Sequence, residues 1–301
     1  HAPVEFDYDE LALDEPDIES LKEKFSKLNF NKFLEDLDGA DQTEVKDFSY
    51  KTDGDLKELI ETIKKTEEVY FKSLYDGDNY IHSEIFKLGI KAKDTDVYIV
   101  ETNDDFVGEF KEIFENNQIN KVSFDIKEEI VLLNKLGIDL IGPYDDLMLA
   151  YYLIDPSRSS YDLKLLSQTY LSYELDNDES LIGKGAKTKK FKEVDQDDLA
   201  LLLASKVNAI EDSKDKLMKN LAEYEMLDLY EEIEKKLAKV LASMEIIGFR
   251  TDREILEDLK ADIDEQIEEI TKEIYELAGS EFNINSPKQL GEVLFKDLDL
   301  P

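Results

Sequence analysis

The chain has 301 residues, 42% hydrophobic and 10% aromatic, which excludes a wholly disordered or collagen-like polymer and suits about two structural units. It has no cysteine, so disulfides, thiolate metal sites and cysteine nucleophiles are excluded; 37 basic against 73 acidic residues give a formal charge of −36. Such a field repels nucleic acid at long range. With only Arg158, Arg250 and Arg253 as arginines, composition by itself argues against a dedicated nucleic-acid module.

Residues 1–16 read as an acidic linker closed by Pro16, without the basic and apolar regions of a signal peptide. The spacing of Ile18, Leu21, Phe25 and Leu28 predicts a helix, and Phe33, Leu34 and Leu37 predict a second before Gly39. Asp53-Gly54 marks a turn, and Leu56, Leu59, Ile60 and Ile63 form another helical stripe. Three β-rich runs follow, 69–71, 80–88 and 97–100, as in a meander; His82 falls on the second as an ordinary strand residue. Next come a helix with Phe106, Phe110, Ile113 and Phe114, a strand over 121–124, and a helix with Ile130, Leu133 and Leu136 that Gly137 ends. Asp125 precedes that helix as a candidate N-cap. Helices over 147–153, 163–171 and 199–221 complete a mixed sheet covered by helices, with Tyr151 and Tyr152 expected in its core.

Between the last two helices, residues 183–192 hold five lysines and no acid, the one basic island of the chain. It reads either as a solvated loop or as a phosphate contact; Walker spacing is absent. From Met226 the pattern is wholly helical up to Gly248. A second stripe from Ile255 to Leu277, with the ten acids from Glu254 to Glu276 on its wet face, predicts an antiparallel helical pair. Asn285-Ser286-Pro287 reads as an N-cap and N1 proline for a helix running to about Lys296. Ending at Leu300-Pro301, the chain reads as a fragment.

Residues 237–252 (LAKVLASMEIIGFRTD) and 274–290 (IYELAGSEFNINSPKQL) closely resemble the start of the polymerase domain and thumb of the family A bacterial DNA polymerases I. Residues 123–133 (SFDIKEEIVLL) and 137–156 (GIDLIGPYDDLMLAYYLIDP) look like the middle of that family's 3′→5′ exonuclease domain, and the acidic 3–16 is similar to the linker after its 5′-nuclease domain. The resemblance implies an α/β, ribonuclease-H-like mixed sheet with flanking helices, followed by an all-helical thumb segment. It divides the chain into 1–16 linker, 17–225 exonuclease-like domain and 226–301 thumb base. Exonucleases of this family hold two divalent metals with four carboxylates. Carried over position by position, the Asp-x-Glu motif falls on Lys72 and Leu74, the second motif keeps Asp125, and Tyr-x-x-x-Asp falls on Lys206 and Ile210. An ammonium repels a metal and aliphatic side chains offer no lone pair, so a degenerate domain serving as scaffold is expected, with no catalytic residue, metal or cofactor on this chain. A slipped register would instead recruit Asp76, Asp78, Glu211 or Asp212 as displaced ligands of an active exonuclease. A third reading is a non-catalytic acidic interaction module.

In the thumb, Asn283, Asn285, Ser286, Lys288 and Gln289 resemble residues that touch the backbone of primer-template DNA. The resemblance further implies a parent DNA-directed polymerase of replication and repair that is Mg²⁺-dependent, cytoplasmic and monomeric, without a membrane partner. Its palm and fingers lie beyond Pro301, so this chain is not expected to polymerise alone.

Overall fold

The computed structural model describes residues 16–27, 30, 33, 48–52, 56–77, 79–171, 173–185 and 188–300. Most of the linker, the Asp53-Gly54 turn, the helix expected around Leu34 and Leu37, and Asp78 lie outside the described residues. The chain forms two compact units, His1–Ile247 and Gly248–Pro301.

In the first unit the elements run α1 (Ile18–Lys27), β1 (Tyr50–Lys51), α2 (Leu56–Thr66), β2 (Glu68–Tyr75), β3 (Ile85–Lys91), β4 (Val97–Val100), α3 (Asp104–Phe114), β5 (Asn120–Ser123), α4 (Ile126–Lys135), β6 (Tyr144–Asp146), α5 (Leu147–Ile154), α6 (Leu163–Tyr170), α7 (Asp178–Ile182) and α8 (Gln196–Glu223). The six strands are ordered β1-β4-β3-β2-β5-β6. β2, β3 and β4 form the expected antiparallel meander, while β5 and β6 add in parallel to β2. One expectation is corrected: Tyr80–His82 is a 3₁₀ turn, not strand, and β3 starts only at Ile85. Asn79 accepts the Ile81 N–H at 2.7 Å, so a local cap wins over the β-propensity of the run, and His82 is exposed on the turn.

Period-two alternation on β2 sends Val69 and Phe71 into an apolar layer under α2, α3 and α4, and Tyr70 and Leu74 into a second layer under α5, α6 and α8. Tyr151 is buried in that second layer; Tyr152 is 40% exposed and packs edge-on against Tyr161, so only one of the pair is core. Helix α8 packs tightly on β3 at Gly89, where an added Cβ would stand 2.8 Å from Leu203 Cγ and from Val207 Cγ2. Gly89→Ala is therefore expected to overpack the interface and cost about 1–3 kcal/mol, read as a lower urea midpoint.

After α8, a helical turn (Leu227–Leu229), a π-helical turn (Tyr230–Glu234) and α9 (Lys235–Ile247) close the first unit. The wider turn carries Tyr230 to full burial, and α9 packs on α4. The second unit consists of α10 (Arg253–Ala278), capped by Asp252 and ended by Gly279 at φ 71°, then α11 (Pro287–Glu292) continued by a π turn (Val293–Asp297). Ser286 is the N-cap of α11 and Pro287 its N1 residue, as the sequence predicts. No helix among the described residues is long and apolar enough to cross a membrane.

Candidate functional site at the degenerate exonuclease positions

The carboxyl end of β2 lies beside the N-terminus of α4, and there a cation occupies the space between acids. Lys72, 8% exposed, donates from Nζ to Phe124 O at 3.0 Å, to Glu128 Oε1 at 2.8 Å and to Glu129 Oε1 at 2.8 Å. Burial works against this ammonium, but Glu129, Glu128 and Asp125 outweigh it and hold its pKa well above the usual lysine value. Glu129 is fully buried and also accepts the Ser73 N–H at 3.1 Å and the Ser73 hydroxyl at 2.5 Å. Burial pushes its carboxyl up, against the pull of the ammonium and of the Ser73 donors.

Asp125 is the N-cap of α4, in the left-handed region at φ 63°, and its side chain accepts the Glu128 N–H at 3.2 Å. Burial raises its pKa against the pull of Lys72. Its own N–H donates to Asp146 Oδ1 at 3.1 Å. Asp146, 1% exposed, also accepts from Ile126 N at 2.9 Å, Met148 N at 3.0 Å and Leu149 N at 3.3 Å, so one carboxylate serves the N-termini of both α4 and α5. Burial and the neighbouring Asp125 nonetheless push it up to about 7. Behind it, the Tyr230 hydroxyl accepts the Asp146 N–H at 2.8 Å and donates to Asp146 O at 3.2 Å. Lys235 lies over the Tyr230 and Tyr144 rings, 5.1 and 5.4 Å from their centroids, and pairs with Asp145 and Glu231. These contacts tie the helix ending at Ile247 to the edge of the sheet.

The structure thus brings Lys72 and Asp125 together and disperses the other degenerate positions. Leu74 and Ile210 are buried in the apolar layer on the α8 side, and Lys206 pairs with Asp178 of α7. The described displaced-ligand candidates are engaged elsewhere. Asp76 Oδ1 accepts the Phe191 N–H at 2.6 Å, Glu211 pairs with Lys91 at 2.5 Å, and Asp212 accepts the Tyr173 hydroxyl at 2.6 Å. Among the described residues no group of three or more histidine or acidic side chains could hold a metal ion. A lysine ammonium ion-paired in place does not fit a divalent cation, and the leucine and isoleucine at the other degenerate positions offer no ligand. Sequence reasoning missed Glu128, Glu129 and Asp146. The signal was two glutamates in the first turn after an N-cap aspartate, and an Asp-Asp pair ahead of an apolar helix.

In the second unit, the thumb candidates gather at the start of α11. Asn283 Oδ1 accepts the Asn285 N–H at 3.0 Å, Gln289 Oε1 accepts the Asn283 N–H at 2.8 Å, and the Ser286 hydroxyl accepts the Gln289 N–H at 3.4 Å. Asn283, Asn285, Lys288 and Gln289 are exposed.

A meander of three antiparallel strands extended by two parallel ones, with helices on both faces, defines a ribonuclease-H-like domain, and residues 61–212 match the ribonuclease-H-like domain of DNA polymerase I. Residues 253–301 match DNA polymerase family A. The whole chain aligns with curated proteins named DNA polymerase I, at 33% identity with that of Geobacillus stearothermophilus and 34% with that of Lactococcus lactis, covering 34% and 33% of their lengths. A solved structure described as the POL domain of Pol1 from M. smegmatis in complex with DNA primer-template and dNTP superimposes with a TM-score of 0.67 over 84% of this chain and 41% of that one, at 23% identity. The chain belongs to the bacterial DNA polymerase I family of family A polymerases, and spans about a third of the length of the curated relatives it matches.

Proposed function

We propose that this chain is the exonuclease-like domain and thumb base of a DNA polymerase I acting in replication and repair, and that the exonuclease-like domain is a scaffold without cleavage activity. The observation that carries this reading is the Lys72 ammonium bonded to Phe124 O, Glu128 and Glu129 where the family places a metal-binding acid. The division into 1–16 linker, 17–225 exonuclease-like domain and 226–301 thumb base belongs to the same proposal. So do a cytoplasmic, monomeric parent and its use of Mg²⁺ at a palm this chain does not contain.

Incubating the chain in excess over a 5′-labelled single-stranded oligonucleotide with Mg²⁺ or Mn²⁺, beside Asp125→Ala, is expected to leave the strand intact in both. Stepwise shortening that Asp125→Ala abolishes would reinstate an active exonuclease with displaced ligands.

For the thumb, the exposed Asn283, Asn285, Lys288 and Gln289 around the Ser286 cap suit contact with the backbone of primer-template DNA, the ligand named for the M. smegmatis structure. Lys288→Ala is expected to weaken duplex binding uniformly across sequences and to lower the salt slope by about 1. An unchanged slope in a fluorescence-anisotropy titration favours the acidic interaction module instead.

A further inference from the structure

We propose that the degenerate centre has a second use, as the anchor of α9, the helix that leads into the second unit. This rests on the scaffold reading and specifies what the scaffold holds. Helix α9 lies on α4 with little to grip it: Ala238 and Ala242 are its buried residues, while Leu237, Val240 and Met244 are exposed. Two alanine methyls bury little apolar surface and interlock with nothing, so packing by itself leaves the helix free to slide. Polar bonds near its two ends settle its place.

At the C-terminal end the pin is Glu245. Its Oε1 accepts from Lys127 Nζ at 2.6 Å and its Oε2 accepts the Tyr80 hydroxyl at 2.7 Å. The Lys127 ammonium also donates to the Tyr80 oxygen and lies 4.8 Å from that ring's centroid. At the N-terminal end, the Lys235 carbonyl accepts the Tyr144 hydroxyl and the Lys235 ammonium pairs with Asp145 at 3.4 Å. The next residue of that strand, Asp146, accepts the Ile126 N–H, so both pins return to the first turn of α4.

That turn is in the grip of Lys72. Lys127 is followed directly by Glu128 and Glu129, the two carboxylates bonded to the Lys72 ammonium. Tyr75 supplies a second route: its hydroxyl donates to Glu128 Oε2 at 3.3 Å, and its ring stands edge-on to Tyr80 with 6.4 Å between centroids. The Tyr80 carbonyl in turn accepts from Lys135 Nζ at 2.6 Å, on the last turn of α4. Without the ammonium, Asp125, Glu128 and Glu129 repel one another within a single turn, and Lys127 and Tyr80 are displaced with it. The loss is then felt at Glu245, on a helix that Lys72 does not touch. Adjacency marks the route, and an energetic coupling between its ends is its physical content.

The test is amide hydrogen exchange of the 301-residue chain in EDTA, read by mass spectrometry over residues 243–247. Amides at a helix end exchange by local opening, so a change that only lowers global stability does not reach them. Lys72→Met is expected to speed their exchange about tenfold, and Glu245→Gln, which weakens the pin itself, by a similar factor. Combined, the two are expected to stay within about twofold of the faster single variant, because both cut one route. Gly89→Ala, on the α8 face of the sheet, is expected to leave these amides within about twofold of the parent. If Lys72→Met does not fold, Tyr75→Phe takes its place: it keeps the ion cluster, loses the hydroxyl bonded to Glu128, and is expected to speed the same amides about threefold. Unaltered exchange in Lys72→Met or its replacement, rates that multiply in the double variant, or an equal gain in Gly89→Ala each overturn the proposal. Shortening of a strand with Mg²⁺ would sink the scaffold reading and leave this exchange untouched, so the two failures are distinguishable.

Discussion

Lys72→Met is expected to destabilise the first unit by about 3–5 kcal/mol, the usual cost of removing one partner from a buried ion pair. The methionine matches the aliphatic stem, so the loss isolates the charge. Without the ammonium, the fully buried Glu129 keeps only Ser73 as donor, and it faces Glu128 and Asp125 with no cation between them. Urea unfolding monitored by circular dichroism reads the effect. A midpoint within experimental error of the unmodified chain would show that the cluster does not depend on Lys72. The same logic applies to Lys72→Asp with Leu74→Glu, which restores the family's acids. In EDTA this variant should be less stable than the parent, because it puts one carboxylate beside Glu128, Glu129 and Asp125 and buries another in the apolar layer around Leu74; a gain in stability would overturn this expectation.

Asp146→Asn is the second large effect, and its signature is a dependence on pH. The Asp146 carboxyl is raised in the fold to about 7, from an ordinary value of 3.8. A raised carboxyl binds its proton more tightly folded than unfolded. Its favourable contribution is therefore complete below about pH 4 and is lost as pH rises through about 7. At about 1.4 kcal/mol per unit, the loss amounts to about 4 kcal/mol. Asparagine does not titrate here, so the difference in stability between Asp146→Asn and the parent should shift in favour of the variant by that order between about pH 4.5 and pH 8. Part of the gain is offset at all pH values, because the amide NH₂ cannot accept the Ile126 N–H as Oδ2 does. A difference that stays flat with pH would mean that the four N–H groups of α4 and α5 keep Asp146 ionised throughout.

Both predictions concern groups on which little chemistry was visible in the linear chain, and the reason is geometric. Lys72 stood out because it replaces an acid in a motif, but its partners lie 56 and 57 residues away on α4. In sequence, Glu128 and Glu129 are merely acids in a helical first turn, among the commonest residues there, and in a chain with 73 acids they carry no mark. Asp146 was equally hidden. Its role arises because β5 and β6 run parallel and adjacent, which brings the starts of α4 and α5 to one point. Tyr230 joins them only through a π turn that no periodicity announces. Conversely, Asp76, Glu211 and Asp212 looked like possible ligands by their closeness to the motif positions, and each is bound to a different partner in space.

Elements with local causes were legible in the chain alone. N-caps at Asp125 and Ser286, the stops at Gly137 and Gly279, and the order of strands in the β-meander are set by interactions over a few residues, and they fell where the pattern put them, apart from the later start of the second strand. The family was legible for the same reason, since motif residues are a linear record. Burial and long-range partners came from the fold. It turned the start of the second β-run into a 3₁₀ turn behind the Asn79 cap, turned Tyr152 outward, and gave Lys72 its acids and Asp146 its two helix ends. Charge and hydrogen bonding act over a few ångströms of space, and only folding converts residues far apart in the chain into neighbours at that distance.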